Sequence, residues 1–262
     1  MNPYLTIATR AARLAGRVIL RNLPRLERIK VERKGHNDFV TAVDREAERV
    51  IVDTLAGAYP QHGFLAEESG ASGDGGEWRW VIDPLDGTTN FIHGYPQFAV
   101  SIALQRRGKI AAAVVLDPLR DEIFTAARGE GAYRNDRRLR VSRALTLEQS
   151  LIATGFPHSA GAHLEEFLAL MRALLPRCHS LRRAGAAALD MAHVASGQLD
   201  GFWEMGLQPW DMAAGALLVE EAGGRLADFD GSENFLNTGS VVCGTPEVFQ
   251  QLLTVIQNAR DG

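Results

Sequence analysis

Cysteine is scarce in this chain: Cys178 and Cys243 are its only two among 262 residues. They stand far apart and without metal-ligand spacing. Neither a disulfide framework nor a thiolate metal site is expected, and two free thiols in a reducing compartment are. Long apolar runs are missing as well. Arg10, Arg13, Arg17 and Arg21 interrupt every apolar stretch near the amino terminus, which argues against a leader peptide. No stretch approaches the roughly 20 apolar residues of a membrane-spanning helix, so a cytoplasmic location is expected. Positive charge is not in excess either. The formal net charge is −4, which gives no electrostatic reason for direct nucleic-acid binding as a main function. The basic clusters Arg106-Arg107, Arg137-Arg138-Leu139-Arg140 and Arg182-Arg183 are short and carry no interleaved aromatics. Solvated faces and interface contacts account for such clusters. No serine or cysteine stands in a nucleophile motif with a histidine partner, and the seven histidines, His93 among them, are scattered. Covalent catalysis through such a nucleophile is therefore not expected.

What is present is concentrated in residues 80–91, Trp-Val-Ile-Asp-Pro-Leu-Asp-Gly-Thr-Thr-Asn-Phe. Trp80, Val81 and Ile82 read as a short buried strand, because β-branched and aromatic residues suit a packed, pleated surface. Asp83 then stands at the strand's carboxyl end, and Pro84 lacks the N–H to continue the ladder. Asp86 follows, and Gly87 turns the chain into Thr88, Thr89 and Asn90. Two carboxylates on so tight a turn repel each other unless a cation lies between them. Oxygen ligands at this density suit Mg²⁺, which binds through a few carboxylates, waters and substrate phosphate. Backbone N–H groups and hydroxyls at Gly87-Thr88-Thr89, where a helix can begin, offer a phosphate seat. Asp-Pro or Asp-Gly alone reads as a loop. Two acids, a turn glycine and two threonines directly after a buried strand read as a site of phosphate-ester hydrolysis, with water as nucleophile.

The length suits one large domain or two packed halves. Residues 4–23 carry Leu5, Ala8, Ala12, Ala15 and Ile19 on one helical face and arginines on the other. A mobile loop is expected at residues 34–38. A second helix is expected from Thr41, with Val43, Ala47, Val50, Ile51 and Leu55 at helical spacing and Asp44 as an acid of its first turn. Residues 64–66 form an apolar run that ends in Glu67-Glu68, and residues 70–77 a glycine-rich loop. Strands at 98–104, 110–116 and 123–126, without a helix between them, predict an antiparallel or mixed sheet. The pattern changes at 142–150. A boundary there divides an α+β half, residues 1–145, from an α/β half, residues 146–262. The second half predicts strands at 151–153, 199–203, 224–227 and 240–243. It predicts helices at 164–175, 185–195 and 212–222 and one capped by Thr245-Pro246. Asp211 reads as the N-cap of the 212–222 helix, which leaves one carboxylate oxygen for a metal.

Residues 80–91 resemble the first signature of the inositol monophosphatase family, which are Mg²⁺-dependent, lithium-sensitive phosphatases. Trp210-Asp211-Met212-Ala213-Ala214-Gly215 through Gly223-Gly224 resembles its second signature. Glu67-Glu68 and residues 34–44 match as well, and Ala153-Thr154-Gly155-Phe156-Pro157 looks like the bacterial SuhB branch. The likeness runs over nearly the whole chain. It implies an α/β fold, a layered αβαβα sandwich of the sugar-phosphatase type. It implies hydrolysis of inositol 1-phosphate by metal-activated water, with two or three Mg²⁺ per site. The ligands implied are Glu67, Asp83, the Leu85 carbonyl, Asp86 and Asp211. Thr88, with Glu67, would orient the water, and Asp44 would serve a third, weaker metal indirectly. Phosphate would rest on backbone N–H groups at Gly87 and Thr88. Asp86, Gly185, Ala187, Glu204 and Asp211 would touch substrate, with Glu204 facing the alcohol.

The resemblance also implies a homodimer with Arg183 near the interface; it assigns nothing to residues 159–163. It leaves histidinol phosphate, fructose bisphosphate and 3′-phosphoadenosine phosphate as other substrates. It also brings in a function of a different class, that of an accessory factor contacting RNA polymerase or an antitermination complex.

Overall fold

The computed structural model describes residues 2–261 apart from Lys30, His36, Asn37, Asp74, Gly75, His158 and Ser159. The first half of the chain runs α1 (Pro3–Asn22), β1 (Val31–Gly35), β2 (Asp38–Thr41), α2 (Ala42–Ala58), β3 (Gly63–Ala66), β4 (Gly70–Ser72), β5 (Trp78–Asp86) and α3 (Thr88–Ile92). It continues with β6 (Ala99–Arg106), β7 (Lys109–Asp117), β8 (Glu122–Ala127), β9 (Gly131–Arg134) and β10 (Arg137–Arg138). Strands β3 to β10 form an eight-stranded sheet in the order β10-β9-β8-β7-β6-β5-β3-β4, in which only β3 and β5 pair in parallel. Strands β1 and β2 pair with each other.

The remainder runs β11 (Leu151–Thr154), α4 (Ala160–Leu174), β12 (Ser180–Arg182), α5 (Ala187–Ala195), β13 (Gly201–Glu204), α6 (Pro209–Glu221), β14 (Arg225–Ala227), α7 (Phe235–Thr238), β15 (Val241–Gly244) and α8 (Pro246–Asp261). Its strands make a mixed five-stranded sheet in the order β12-β11-β13-β15-β14.

Side-chain alternation along the strands builds the layers. On β5, Trp80 and Ile82 pack with α1 and α2, while Val81 faces α5 and α6. On β13, Phe202 turns to that same pair of helices, and Trp203 turns outward to α4 and α8. Helices α5 and α6 thus lie between two sheets. Accordingly α6 is buried continuously from Met212 to Val219, the pattern of a helix with no solvent face. The result is a five-layer αβαβα sandwich of the α/β class. Among the described residues no helix is long and apolar enough to cross a membrane, and Cys178 and Cys243 are free thiols.

Several local expectations need correction. Strand β5 does not stop at Ile82. It passes through Pro84 to Asp86, because a bulge sets three steps, Asp83 to Asp86, against two on β6, Ser101 to Ala99. A bulge interrupts the ladder where proline has no donor to give. Helix α6 starts at Pro209 with Gln208 as its cap, so Asp211 belongs to its first turn and is not its N-cap. Helix α5 starts at Ala187 rather than Gly185, whose φ of +85° cannot join a right-handed helix. Strands β1 and β2 pair antiparallel and take in Lys34, Gly35 and Asp38 of the expected 34–38 loop; His36 and Asn37 lie outside the described residues. The glycine-rich segment contains β4. Strands β9, β10 and β12 carry no apolar run that would have announced them.

Candidate active site

The site forms where β3 and β5 end side by side. The Glu67 N–H donates to the Ile82 carbonyl at 3.1 Å, which places Glu67 beside Asp83. Asp83 Oδ1 accepts the Leu85 N–H at 2.9 Å, an Asx turn that holds the bulge. Asp86 Oδ2 accepts the N–H of Ala188, on α5, at 2.8 Å. Asp211 Oδ2 accepts the Gln208 N–H at 2.7 Å at the start of α6. Four carboxyl groups from both halves of the chain therefore converge.

Their electrostatics follow from that crowding. Burial pushes the Asp83 carboxyl well above the ordinary carboxylate range, and the charges of Glu67, Asp86 and Asp211 push it further. Asp86 is raised in the same way, by burial first and then by Asp211, against the pull of the Ala188 N–H. A cluster that resists holding its negative charges alone, made of oxygen donors and joined by the Leu85 carbonyl, fits a hard divalent cation. Among the described residues no three such side chains form a ready-made cage. Mg²⁺ does not need one, since it keeps waters and takes substrate oxygens.

The Thr88 hydroxyl lies 2.9 Å from Asp44 Oδ1 and 3.0 Å from the Leu85 carbonyl. Asp44 is fully buried. Burial raises its carboxyl, and hydrogen bonds from Thr41 and Thr88 pull it part of the way back. Gly87 opens α3 with a φ of +86°. A Cβ there would stand 2.9 Å from the Gln97 carbonyl oxygen and 3.2 Å from that of Gly185, so only glycine fits. Asn90 ties α3 to the segment before α5, its Nδ2 lying 2.7 Å from Gln97 O, 2.9 Å from Ala184 O and 3.1 Å from Gly185 O.

The four carboxyl residues, Leu85, Gly87, Thr88 and Asn90 line one cleft of about 310 Å³, together with Gly185, Ala187 and Glu204. Among the described residues no histidine lines it: His93 is exposed, and His62 is stacked between Tyr59 and Trp78.

Residues 1–260 match the inositol monophosphatase family. The chain belongs to that family. Nus factor SuhB of Pseudomonas aeruginosa is 54% identical over 262 residues, which span 98% of this chain and 97% of the relative. The solved structure of extragenic suppressor protein suhB from Bartonella henselae has a TM-score of 0.94 at 44% identity, over 97% of this chain and 98% of its own. Inositol monophosphatase from Anabaena (Nostoc) sp. PCC 7120 has a TM-score of 0.89 at 39% identity, over 97% and 95%. The family is one of phosphatases, and the five-layer fold is shared with its solved members.

Of the residues expected from sequence, Glu67, Asp83, Leu85, Asp86, Gly87, Thr88, Gly185, Ala187, Glu204 and Asp211 all line the cleft. Asp44 does not; it lies behind Thr88. Glu204 is 6% exposed, so it is no surface acid. Its carboxyl is raised by burial, then by Asp190, Asp211 and Asp86. It packs so tightly over Gly155 that a Cβ there would fall 1.9 Å from Glu204 Oε1. Asp190 behind it is pushed up to about 8 by burial. Asn90, Phe156 and Leu207 also line the cleft and were given no role from sequence. Arg183, expected near an interface, lines it too, its guanidinium 4.5 Å above the Phe156 ring. Asn90 is already local to the Asp83–Thr89 run, whereas only the fold brings Phe156, Leu207 and Arg183 to the site.

Proposed function

We propose that the chain is a Mg²⁺-dependent phosphate-monoester hydrolase acting first on inositol 1-phosphate. The observation that carries this reading is the gathering of Glu67, Asp83, the Leu85 carbonyl, Asp86 and Asp211 in one cleft beside Gly87 and Thr88. Two or three Mg²⁺, when bound by these groups, supply positive charge that acidifies a water and offsets the phosphoryl oxygens. The rest is the chain's own work. The Thr88 hydroxyl, fixed by Asp44, orients the attacking water together with Glu67. Backbone N–H groups at Gly87 and Thr88 hold the phosphate. Asp86, Gly185, Ala187 and Asp211 bound the alcohol, and Glu204 accepts hydrogen bonds from its ring hydroxyls. Water attacks in line, and no phosphoenzyme forms. The same reading takes residues 1–145 and 146–262 as two halves meeting at the cleft, places the protein in the cytoplasm, and makes it a homodimer with Arg183 near the interface.

A panel of phosphate esters assayed with Mg²⁺ tests the proposal. Inositol 1-phosphate is expected to give the highest kcat/KM, with inhibition by Li⁺ and by excess Mg²⁺. A lead for histidinol phosphate, fructose bisphosphate or 3′-phosphoadenosine phosphate would reassign the substrate, and no turnover on any would end the phosphatase reading.

A second reading is favoured by one observation, the full-length likeness to a protein named Nus factor SuhB. In it the chain contacts RNA polymerase or an antitermination complex without using its chemistry. Co-purification with RNA polymerase that survives Asp86→Asn would support it.

A further inference from the structure

Asp44 and Glu48 lie one helical turn apart on α2, and both are buried. Asp44 reaches Thr88. Glu48 reaches the other arm of the site: its Oε2 accepts the Glu68 N–H at 2.7 Å, and its Oε1 the Ser69 N–H at 2.9 Å. Bonds from amides to a carboxylate are shorter and stronger than neutral ones. They clamp the turn immediately after Glu67. The Ala66–Gly70 pair closes that turn from the sheet side, and the Glu67 N–H to Ile82 bond fixes its entry. A three-residue surface turn can satisfy its amides with water. Burying a carboxylate there carries a desolvation cost that the two bonds must offset.

We propose that Glu48 is a positioning residue of the active site: its two-pronged grip on residues 68–69 holds Glu67 where a divalent cation is bound. Helix α2 then braces both arms, Thr88 through Asp44 and Glu67 through Glu48. The inference rests on the metal-dependent reading above.

The test compares wild type with Glu48→Gln, Glu48→Asp and Glu46→Gln. Gln keeps the size but turns an amide NH₂ toward one of two N–H donors, and Asp keeps the charge but is one methylene short. Glu46, on the same helix, pairs with Arg21 at the surface and controls for lost charge. Three quantities are read: Mn²⁺ binding to the protein by electron paramagnetic resonance, the Mg²⁺ half-saturation of hydrolysis, and the thermal midpoint. Glu48→Gln should weaken Mn²⁺ binding and raise the Mg²⁺ half-saturation together, on the order of 10–100-fold, the usual effect of removing a group that orients a ligand. Saturating Mg²⁺ should recover most of kcat. Glu48→Asp should fall between, and it carries the comparison if the Gln variant does not fold. Glu46→Gln should leave all three unchanged. A lower thermal midpoint with unchanged Mn²⁺ binding would make Glu48 a plain loop anchor and overturn the inference. An equal loss in Glu46→Gln would also overturn it. Wild type that binds no Mn²⁺ would overturn the metal reading itself.

Discussion

Two helices of this chain begin with the same local device and end with different work. Thr41 caps α2 and Gln208 caps α6. In each, the third helical residue, Asp44 or Asp211, returns its carboxylate to the cap's backbone N–H, at 2.9 and 2.7 Å. The likeness ends there. Helix α2 covers the outer face of the eight-stranded sheet. Its Asp44 is fully buried, with one oxygen on the Thr41 N–H and hydroxyl and the other on the Thr88 hydroxyl. Helix α6 lies between the sheets and aims its first turn into the cleft. Its Asp211 is half-buried, and its charge adds to burial, the larger cause, in raising the carboxyls of Asp83, Asp86 and Glu204. A capping acid becomes a positioner or a ligand candidate according to what faces it across the gap.

The largest difference is expected between substitutions of these two acids. Asp211→Asn should remove several kcal/mol of transition-state stabilisation, on the order of 10³-fold in kcat/KM, because a cation-binding charge is lost. Asp44→Asn should cost roughly 10–100-fold, as removal of a group acting through another does. Equal losses would show that the two acids do the same work. Asp86→Asn should lose turnover as Asp211→Asn does. Melted in chelator, it should be at least as stable as the parent, since one of several repelling charges is gone. A clear drop in its melting temperature would mean that the Ala188 N–H bond outweighs the repulsion.

A smaller and selective effect is expected at Glu204. Glu204→Ala should lower kcat/KM for inositol 1-phosphate by about 1–3 kcal/mol, the scale of a lost charged hydrogen bond. Glycerol 2-phosphate, too short to reach it, should be barely affected. Equal losses on both substrates would place Glu204 in the metal site or the fold.

An effect on stability rather than turnover lies outside the cleft, on α5. His193 is lowered to about 4 by burial first and by the charges of Arg120 and Arg134, against Asp117. Its unfolded value is near 6.5, so the native state binds its proton less readily than the unfolded chain. Stability should be full above pH 6.5 and be lost progressively as pH falls toward 4. His193→Gln should flatten that part of the pH–stability curve by about 2 kcal/mol, allowing for partial exposure. Unchanged curvature would show that the imidazole is solvated.

Much of this architecture was legible because burial and periodicity coincide. The apolar face of α1, at 3.6-residue spacing, and the continuous apolar runs of β6, β7 and β8 are written into the sequence. The Asp83–Asn90 stretch stood out as a candidate site because its residues are local. What stayed hidden depends on distance. Gln208 lacks the look of a cap until α6 is seen to start at Pro209. Gly185 sits in a run of small residues that reads as helix until its φ is known. Glu48 looks like any polar helix residue, since the two amides it holds are twenty residues away. Phe156 and Arg183 enter the cleft only because the chain folds back from β11 and β12 to meet it.

On the proposed function, the Glu67, Asp83, Asp86 and Asp211 cluster needs a divalent cation to hydrolyse a phosphate ester. Phosphate release from inositol 1-phosphate, followed from full chelation through rising Mg²⁺, tests it most directly. Expected are no release in chelator, a saturable rise, a decline at excess Mg²⁺, and little turnover when Ca²⁺ is substituted, because its looser coordination holds water and phosphate less rigidly. An undiminished rate in chelator would contradict it.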